Sequence, residues 1–264
     1  HKTAPKRLLQ INPSTANAKA SVCLFIDEFT DYNDGGIGLK AIELLTRLGY
    51  RVLLPTHGLS ARTYLSKGLL VKAKSIINEN VKLLAEAVSA DIPLLGIEPS
   101  AILGFRDEYP DLVDTQLKDK ALALSENSLL IDEFLWNEIK SGRIEKSSFS
   151  SDHQQIKLHG HCQQKAVAST ESTVGILSFP KNYTVEEIPS GCCGMAGSFG
   201  YEKEHYELSM KVGELVLFPA VRSFDTDTIV CAPGTSCRHQ IKDGTGRLAY
   251  HPVEILHQAL VNQD

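Results

Sequence analysis

Six cysteines carry the most distinctive chemistry of this 264-residue chain, and five of them lie between Cys162 and Cys237. Cys192 and Cys193 are adjacent in "SGCCGMAG", with glycine on both sides. Thiolate is a soft ligand that favours zinc and iron–sulfur clusters over hard cations such as magnesium. Glycine lets the backbone approach a bulky inorganic ligand and direct N–H groups at it. The pattern therefore indicates a metal or cluster site.

The predicted ligands come from three separate stretches, each at the end of a predicted strand. Four thiols are expected to bind one centre: Cys162, Cys192, Cys193 and Cys237. Cys231 is a candidate fifth ligand, although it precedes the last turn and can equally lie back in the strand. No catalytic residue is predicted.

Two other interpretations of the thiols stay open. A buried cysteine often behaves as a small hydrophobic residue, which is our interpretation of Cys23 in "SVCLFIDEF". A redox-active disulfide is the second, but vicinal disulfides are strained and no thioredoxin-like CxxC occurs. His159 and His161 flank Cys162 in "HGHCQQK". For them, metal ligation, donation to a cluster sulfur and ordinary hydrogen bonding all remain open.

The elements that position these residues alternate between strands and helices. Predicted strands are "SVCLFIDEF", "RVLLP" and "IPLLGIEPSA" in the first half, and "IKLHGHC", "YTVEEIPSGCCG" and "DTIVCAPGTSC" in the second. Alternation of this kind predicts an α/β fold of two similar, Rossmann-like lobes with parallel sheets. Ligands of such sheets lie at the carboxyl ends of the strands, where the cysteines are expected.

The spacing also predicts an internal duplication. Leu59-Ser60-Ala61 corresponds to Cys192-Cys193-Gly194, and "EPSA" corresponds to "GTSC". We therefore predict a linker from an upstream domain at 1–20, a first repeat that has lost its cysteines at 21–140, and a second repeat that keeps them at 141–264. A pocket at the first-half turn, with His57 and Arg62, is a further hypothesis.

Composition limits the classes of function. The chain is 42% hydrophobic and 22% charged, as in a soluble globular protein, and its net charge of -5 argues against a nucleic-acid partner. No apolar run approaches the roughly 20 residues of a transmembrane helix, and no signal peptide is recognisable. GxGxxG, Walker and CxxCxxC motifs are missing from the sequence, so a nucleotide or flavin site would have to come from elsewhere. We expect a cytoplasmic protein, with a peripheral place at the inner membrane as the alternative.

Three long motifs resemble a known family. "HGHCQQKA", "GCCGMAGSFGYEKEHYELSMKVGE" and "APGTSCRHQI" are similar to the cysteine-rich CCG domain. That domain occurs in one of the subunits of heterodisulfide reductase, in the glycolate oxidase iron–sulfur subunit and in one of the subunits of anaerobic glycerol-3-phosphate dehydrogenase. The resemblance extends from about residue 21 onward. It is greatest to the C-terminal region of fused FAD/iron–sulfur dehydrogenases of the D-lactate or D-2-hydroxyglutarate type.

This resemblance implies an electron relay. Each repeat that keeps its cysteines would bind an iron–sulfur cluster, of the 4Fe-4S type, or zinc. Upstream FAD and ferredoxin-like domains of the same polypeptide would oxidise a 2-hydroxy acid. Electrons would pass to an acceptor such as a quinone or a redox protein, and this fragment alone would be inactive.

The sequence departs from the family pattern in both halves. Leu59, Ser60 and Ala101 replace cysteines of the first repeat, and Gly234 replaces the first cysteine of the last CxxC. The rival function is therefore a zinc-binding or metal-free structural or docking module of the same enzyme.

Overall fold

A computed structural model describes residues 18–261, which form two compact units. The first unit extends to Phe134 and the second begins at Leu135. The predicted linker, 1–20, lies almost wholly outside the described residues. No helix between residues 18 and 261 is long and apolar enough to cross a membrane.

Eight strands are described. They are β1 (Ala20–Phe25), β2 (Tyr50–Leu53), β3 (Leu94–Gly96), β4 (Ser128–Leu130), β5 (Gln154–Leu158), β6 (Tyr183–Glu187), β7 (Ile229–Cys231) and β8 (Ala249–Tyr250).

The helices alternate with these strands. They are α1 (Glu28–Tyr32), α2 (Gly35–Arg47), α3 (Arg62–Ser66), α4 (Leu70–Leu84), α5 (Pro99–Ile102), α6 (Glu108–Leu112), α7 (Lys118–Glu126), α8 (Ile131–Lys140), α9 (Cys162–Val167), α10 (Glu171–Leu177), α11 (Tyr206–Glu214), α12 (Leu217–Ser223), α13 (Thr235–Thr245) and α14 (Pro252–Ala259). Four short 3-10 turns lie at Leu103–Phe105, Thr115–Leu117, Lys146–Ser148 and Phe199–Tyr201.

Both units contain a four-stranded sheet with the same strand order. The order is β2-β1-β3-β4 in the first unit and β6-β5-β7-β8 in the second. Every pair of neighbouring strands is parallel. The prediction of an α/β fold with two similar parallel-sheet lobes is confirmed.

Each core forms where helices cover the central strands. Residues 22–25 of β1 are fully or almost fully buried, as expected for a central strand covered on both faces. In α2 the buried positions recur with helical spacing at Ile37, Ala41, Leu44 and Leu45, so one apolar stripe faces the sheet.

Backbone geometry supports the register of the duplication. Ala61 (φ 65°) and Gly194 (φ 99°), the residues that follow Ser60 and Cys193, both adopt a left-handed conformation. A left-handed alanine is uncommon, and Ala61 is fully buried. The two lobes thus share one turn shape, although only the second has glycine there.

One predicted helix is divided in two. The stretch 203–222, "KEHYELSMKVGELVLFPAVR", predicts a single helix from its apolar spacing, but α11 ends at Glu214 and α12 begins at Leu217. Pro219 has no N–H to donate to the carbonyl of the preceding turn. It is tolerated in the first turn of α12, where that hydrogen bond is not needed.

A substitution at Gly96 tests the contact between β3 and α5. A Cβ at this position would lie 2.2 Å from the Cβ of Ile102, so Gly96→Ala should lower the free energy of unfolding by about 1–3 kcal/mol. Gly36, in α2, has open space around its Cβ position. Gly36→Ala is the matched control and should raise stability by roughly 0.5–1 kcal/mol. Urea unfolding followed by circular dichroism measures both, and equal midpoints would contradict the packing argument.

Candidate metal centre

Parallel pairing in the second lobe brings three cysteine-bearing segments to one edge of the sheet. The last residue of β5, Leu158, is in register with Glu187 of β6 and with Cys231 of β7. The segments that follow these three strands therefore start side by side. They contain Cys162, the Cys192–Cys193 pair and Cys237.

Two thiols lie at helix starts rather than at strand ends. We predicted that Cys162 ends a strand, but β5 ends at Leu158 and Cys162 is the first residue of α9. The His161 side chain accepts a hydrogen bond from the backbone N–H of Gln163 and so caps this helix, which explains why the helix begins here. Cys237 likewise lies in the first turn of α13, not in a loop.

The four predicted ligands form a chain of sulfur contacts. Hydrogen bonds join Cys162 to Cys192, Cys192 to Cys193, and Cys193 to Cys237. Cys162 is exposed, Cys192 is partly buried, and Cys193 and Cys237 are buried. We call this set the sulfur array.

Hydrogen bonds between the sulfurs shift their pKa values in alternating directions along the sulfur array. Hydrogen bonds from Cys162 and from Cys193 lower the pKa of Cys192, and a hydrogen bond from Cys193 lowers the pKa of Cys237. The same bonds, together with burial, raise the pKa values of Cys162 and Cys193. The shifts thus alternate in direction along the array, as expected where adjacent sulfurs in a buried site cannot all ionise together.

Backbone N–H groups of the glycine-rich turn also point at the sulfurs. The N–H of Gly194 donates to Cys192 Sγ at 3.3 Å. The N–H groups of Ala196 and Met195 donate to Cys192 and Cys193 respectively. These donors form a small anion-binding nest, as the sequence suggested. They favour thiolate over thiol at the array.

His159 extends the array by a nitrogen. It is fully buried, and its Nδ1 lies 2.7 Å from Ser190 Oγ. The ligand atoms of His159, Cys193 and Cys237 all lie within 4.8 Å of one another. Within residues 18–261, this is the one group of three or more such side chains with that spacing.

His161 has a different neighbourhood. Besides capping α9, its ring fills the space next to Gly234, where a Cβ would approach His161 Cδ2 to 2.4 Å. That Cβ would also lie 3.4 Å from Cys237 Sγ. A side chain at position 234 would therefore displace the imidazole, so glycine and His161 fit together as a pair.

The other two cysteines lie back in the sheets. Cys231 is fully buried at the end of β7, and its carbonyl accepts a hydrogen bond from the N–H of His159. Its sulfur is not part of the group formed by His159, Cys193 and Cys237. Cys23 is buried in β1 of the first lobe and donates to the carbonyl of Ala87.

The equivalent edge of the first lobe has a carboxylate where the second has thiols. Ser60 donates to Glu28 from its N–H (2.8 Å) and from its hydroxyl (2.9 Å). Ala101, which corresponds to Cys237, is buried and apolar.

A cavity of about 480 Å³ lies at the same edge of the first lobe, with Glu28 and His57 among its lining residues. Arg62, which we had grouped with His57, does not line it and instead pairs with Glu108.

The donor set of the second lobe suits a soft metal. Zinc and iron–sulfur centres use cysteine sulfur and imidazole nitrogen as ligands, and both are present here. The N–H groups of the nest donate to the sulfurs. His159 was left open by sequence reasoning, although its position three residues before Cys162 was a usable signal. Ser190 was missed, because no sequence pattern marks a hydroxyl that orients an imidazole.

No family model matches the chain. It is 27% identical over 263 residues to D-2-hydroxyglutarate dehydrogenase of Escherichia coli K12, covering 97% of this chain but 24% of that protein. The Pseudomonas putida enzyme of the same name is 30% identical over 247 residues, covering 92% of this chain and 23% of its own length. One of the subunits of anaerobic glycerol-3-phosphate dehydrogenase from Escherichia coli K12 is 27% identical over 247 residues, covering 93% of this chain and 60% of that protein.

The chain is related to part of these dehydrogenases. It spans about a quarter of the length of the D-2-hydroxyglutarate dehydrogenases that it matches. The resemblance seen in the cysteine motifs thus extends over nearly the whole chain, at low identity.

Gly194 and Gly191 provide a matched test of the turn that holds the cysteine pair. At Gly194, φ is 99° and a Cβ would lie 2.1 Å from the carbonyl oxygen of Ser209. Gly194→Ala should therefore cost about 2 kcal/mol or more of stability and weaken binding of Zn²⁺. At Gly191 nothing lies within 4 Å, so Gly191→Ala should change both quantities little. Thermal unfolding and zinc titration measure the two effects, and a silent Gly194→Ala would contradict this account.

Proposed function

We propose that the chain is the C-terminal CCG-type region of an FAD-linked 2-hydroxyacid dehydrogenase and relays electrons away from the flavin. The proposed ligands of its iron–sulfur cluster are Cys162, Cys192, Cys193 and Cys237. Cys231, which lies back in β7, is a reserve ligand that requires a shift of that strand end. The repeat boundaries are those of the sequence analysis, with the cluster in the second repeat.

The observation that carries this proposal is the sulfur array. Four thiols from three segments follow one another as neighbours at one sheet edge, so that four polarisable sulfur atoms share a confined space. Packing alone gives no reason for such crowding. The relatives support the same function, because those compared are dehydrogenases or part of one.

The residues of this chain have three tasks in the proposed relay. The sulfur array binds the cluster, whose chemistry when bound is reversible one-electron transfer. The N–H groups of Gly194, Met195 and Ala196 stabilise the negative charge of the sulfurs. Burial of Cys193 and Cys237 excludes water from one side, while the exposed Cys162 side remains open to a redox partner.

Other parts of the enzyme belong to the same proposal. FAD and ferredoxin-like domains of the same polypeptide would supply the electrons, and a quinone or a redox protein would accept them. The protein would be cytoplasmic or peripheral at the inner membrane. D-lactate and D-2-hydroxyglutarate are the substrate types that the resemblance and the relatives suggest.

A zinc-binding structural module is the second candidate, and the closeness of Cys193 and Cys237 favours it. Zinc–sulfur bonds of about 2.3 Å in a tetrahedron place neighbouring sulfurs about 3.8 Å apart, so these two sulfurs, which lie within 4.8 Å of one another, need little movement to bind one ion. A cubane cluster requires the sulfurs to separate further. The first lobe also keeps its fold without thiols.

Metal analysis distinguishes these two functions. The electron relay predicts iron and acid-labile sulfide in protein purified without oxygen, in a ratio close to that of the cluster. The structural module predicts zinc at about one ion per chain and no labile sulfide. Absence of iron and sulfide from anaerobically purified full-length protein would remove the relay.

Replacement of Cys193 provides a functional test, with Cys23 as the matched control. Cys193→Ser should weaken metal binding at least about tenfold, because serine is a poor ligand for soft metals. In the full-length enzyme, reduction of the flavin by the hydroxy acid should persist while turnover with an external acceptor is lost. Cys23→Ser should preserve both, since serine can still donate to Ala87.

Stopped-flow absorbance and steady-state assays separate the two steps. Loss of folding without a specific loss of electron export would support the structural module instead.

A further inference from the structure

The imidazole of His159 has one nitrogen for which the protein provides no ordinary partner. The side chain is fully buried, and its Nε2 makes no hydrogen bond of normal geometry. Leaving a buried polar atom unpaired destabilises the fold, because the atom loses its hydrogen bonds with water and gains none in return. Such an atom in a folded protein calls for an explanation, and a metal or ligand is one of the few available.

The neighbours of Ser190 allow the tautomer of His159 that a metal requires. The hydroxyl hydrogen of Ser190 can point at the carbonyl of Ile188, which lies 3.4 Å from Oγ. The hydroxyl oxygen then accepts from the Nδ1–H of His159 across the 2.7 Å contact. The neutral ring then has an unprotonated Nε2, which is the form that ligates a metal.

His161 has the opposite arrangement. Its Nδ1 accepts from the N–H of Gln163 at 3.2 Å, which places the proton of the neutral ring on Nε2. A protonated nitrogen has no lone pair for a metal. Two histidines that the sequence could not distinguish are therefore separated by their hydrogen bonds.

The open nitrogen lies beside the most buried sulfurs. His159, Cys193 and Cys237 present their ligand atoms within 4.8 Å of one another. In a tetrahedral zinc site, sulfur–sulfur and sulfur–nitrogen edges are about 3.5–3.8 Å. A small contraction would thus bring the three atoms onto one ion.

We propose that His159 is a metal ligand through Nε2, positioned by Ser190, in a mixed sulfur–nitrogen centre with Cys193 and Cys237. This inference rests on the proposed metal centre and puts His159 in the place of Cys162 in its ligand set. Cys192 completes the set from within the sulfur array. A neutral imidazole in place of a thiolate makes the centre less negative by one charge, and a redox-active metal held this way has a higher potential than one held by sulfur alone.

The test uses the full chain loaded with Co²⁺ or Zn²⁺ under anaerobic conditions. X-ray absorption of the zinc form should require about one nitrogen at about 2.0 Å beside sulfurs at about 2.3 Å. His159→Gln should change the ligand-field bands of the cobalt form and weaken binding. Ser190→Ala should keep the bands but weaken binding about tenfold or more, as loss of an outer partner does.

Two further variants serve as controls. His161→Asn retains a capping side chain at the start of α9 and should leave the cobalt bands unchanged. His159→Cys should restore tight binding with an all-sulfur spectrum, which separates a ligand role from a packing role. Thermal unfolding of the metal-free forms identifies any variant that has lost its fold.

The outcomes are distinguishable. All-sulfur coordination in the wild type, or unchanged cobalt bands in His159→Gln, would overturn this inference and leave the metal centre intact. Failure of the wild-type chain to bind zinc, cobalt or a cluster would overturn the proposed function together with this inference.

Discussion

Parallel pairing of β5 with both β6 and β7 is the constraint on which the site depends. Because the three strands run in one direction, the segments that leave them start at the same edge. Strand pairing therefore brings together thiols that are far apart in sequence, and no contact between the thiols themselves is needed for this. The same topology in the first lobe brings Glu28 and Ser60 together, so convergence belongs to the fold and the chemistry belongs to the residues placed there.

The two lobes differ more in the charge of the residues at this edge than in the shape of the backbone. In the first lobe, a carboxylate and a serine satisfy each other, and the turn after Ser60 keeps its left-handed shape with alanine. In the second lobe, sulfur neighbours sulfur, and hydrogen bonds between the thiols shift their pKa values in opposite directions. The polar groups of the first lobe thus satisfy one another, whereas the thiols of the second suit the metal centre that we propose.

Much of the fold was predictable because periodicity and strand alternation depend on local sequence. The two similar lobes with parallel sheets followed from it. The start of α9 at Cys162 did not, because it depends on a histidine acting as a helix cap. Neither did the break before α12, which depends on where the missing N–H of Pro219 is tolerated.

The site was predictable in part for the same reason. Cysteine type and spacing indicated the four thiols, which the structure brings into contact. The state of His159 was beyond sequence reasoning, since it depends on the direction of one hydroxyl hydrogen at Ser190. Distinctions of that kind arise only once the chain is folded.

The exposure of Cys162 makes one end of the sulfur array accessible to solvent and leaves the other end buried. It begins α9 at the protein surface, while Cys193 and Cys237 are in the core. An oxidant that diffuses in from solution, such as peroxide, reaches Cys162 and the partly buried Cys192 before the core sulfurs, and Cys192, whose pKa is lowered, is the more reactive of the two. Cys162 is its immediate neighbour and can resolve a sulfenic acid formed there as a disulfide, with release of water. Oxidative damage would thus start at the rim and spare the core sulfurs, so reduction of one outer bond would be enough to restore the array.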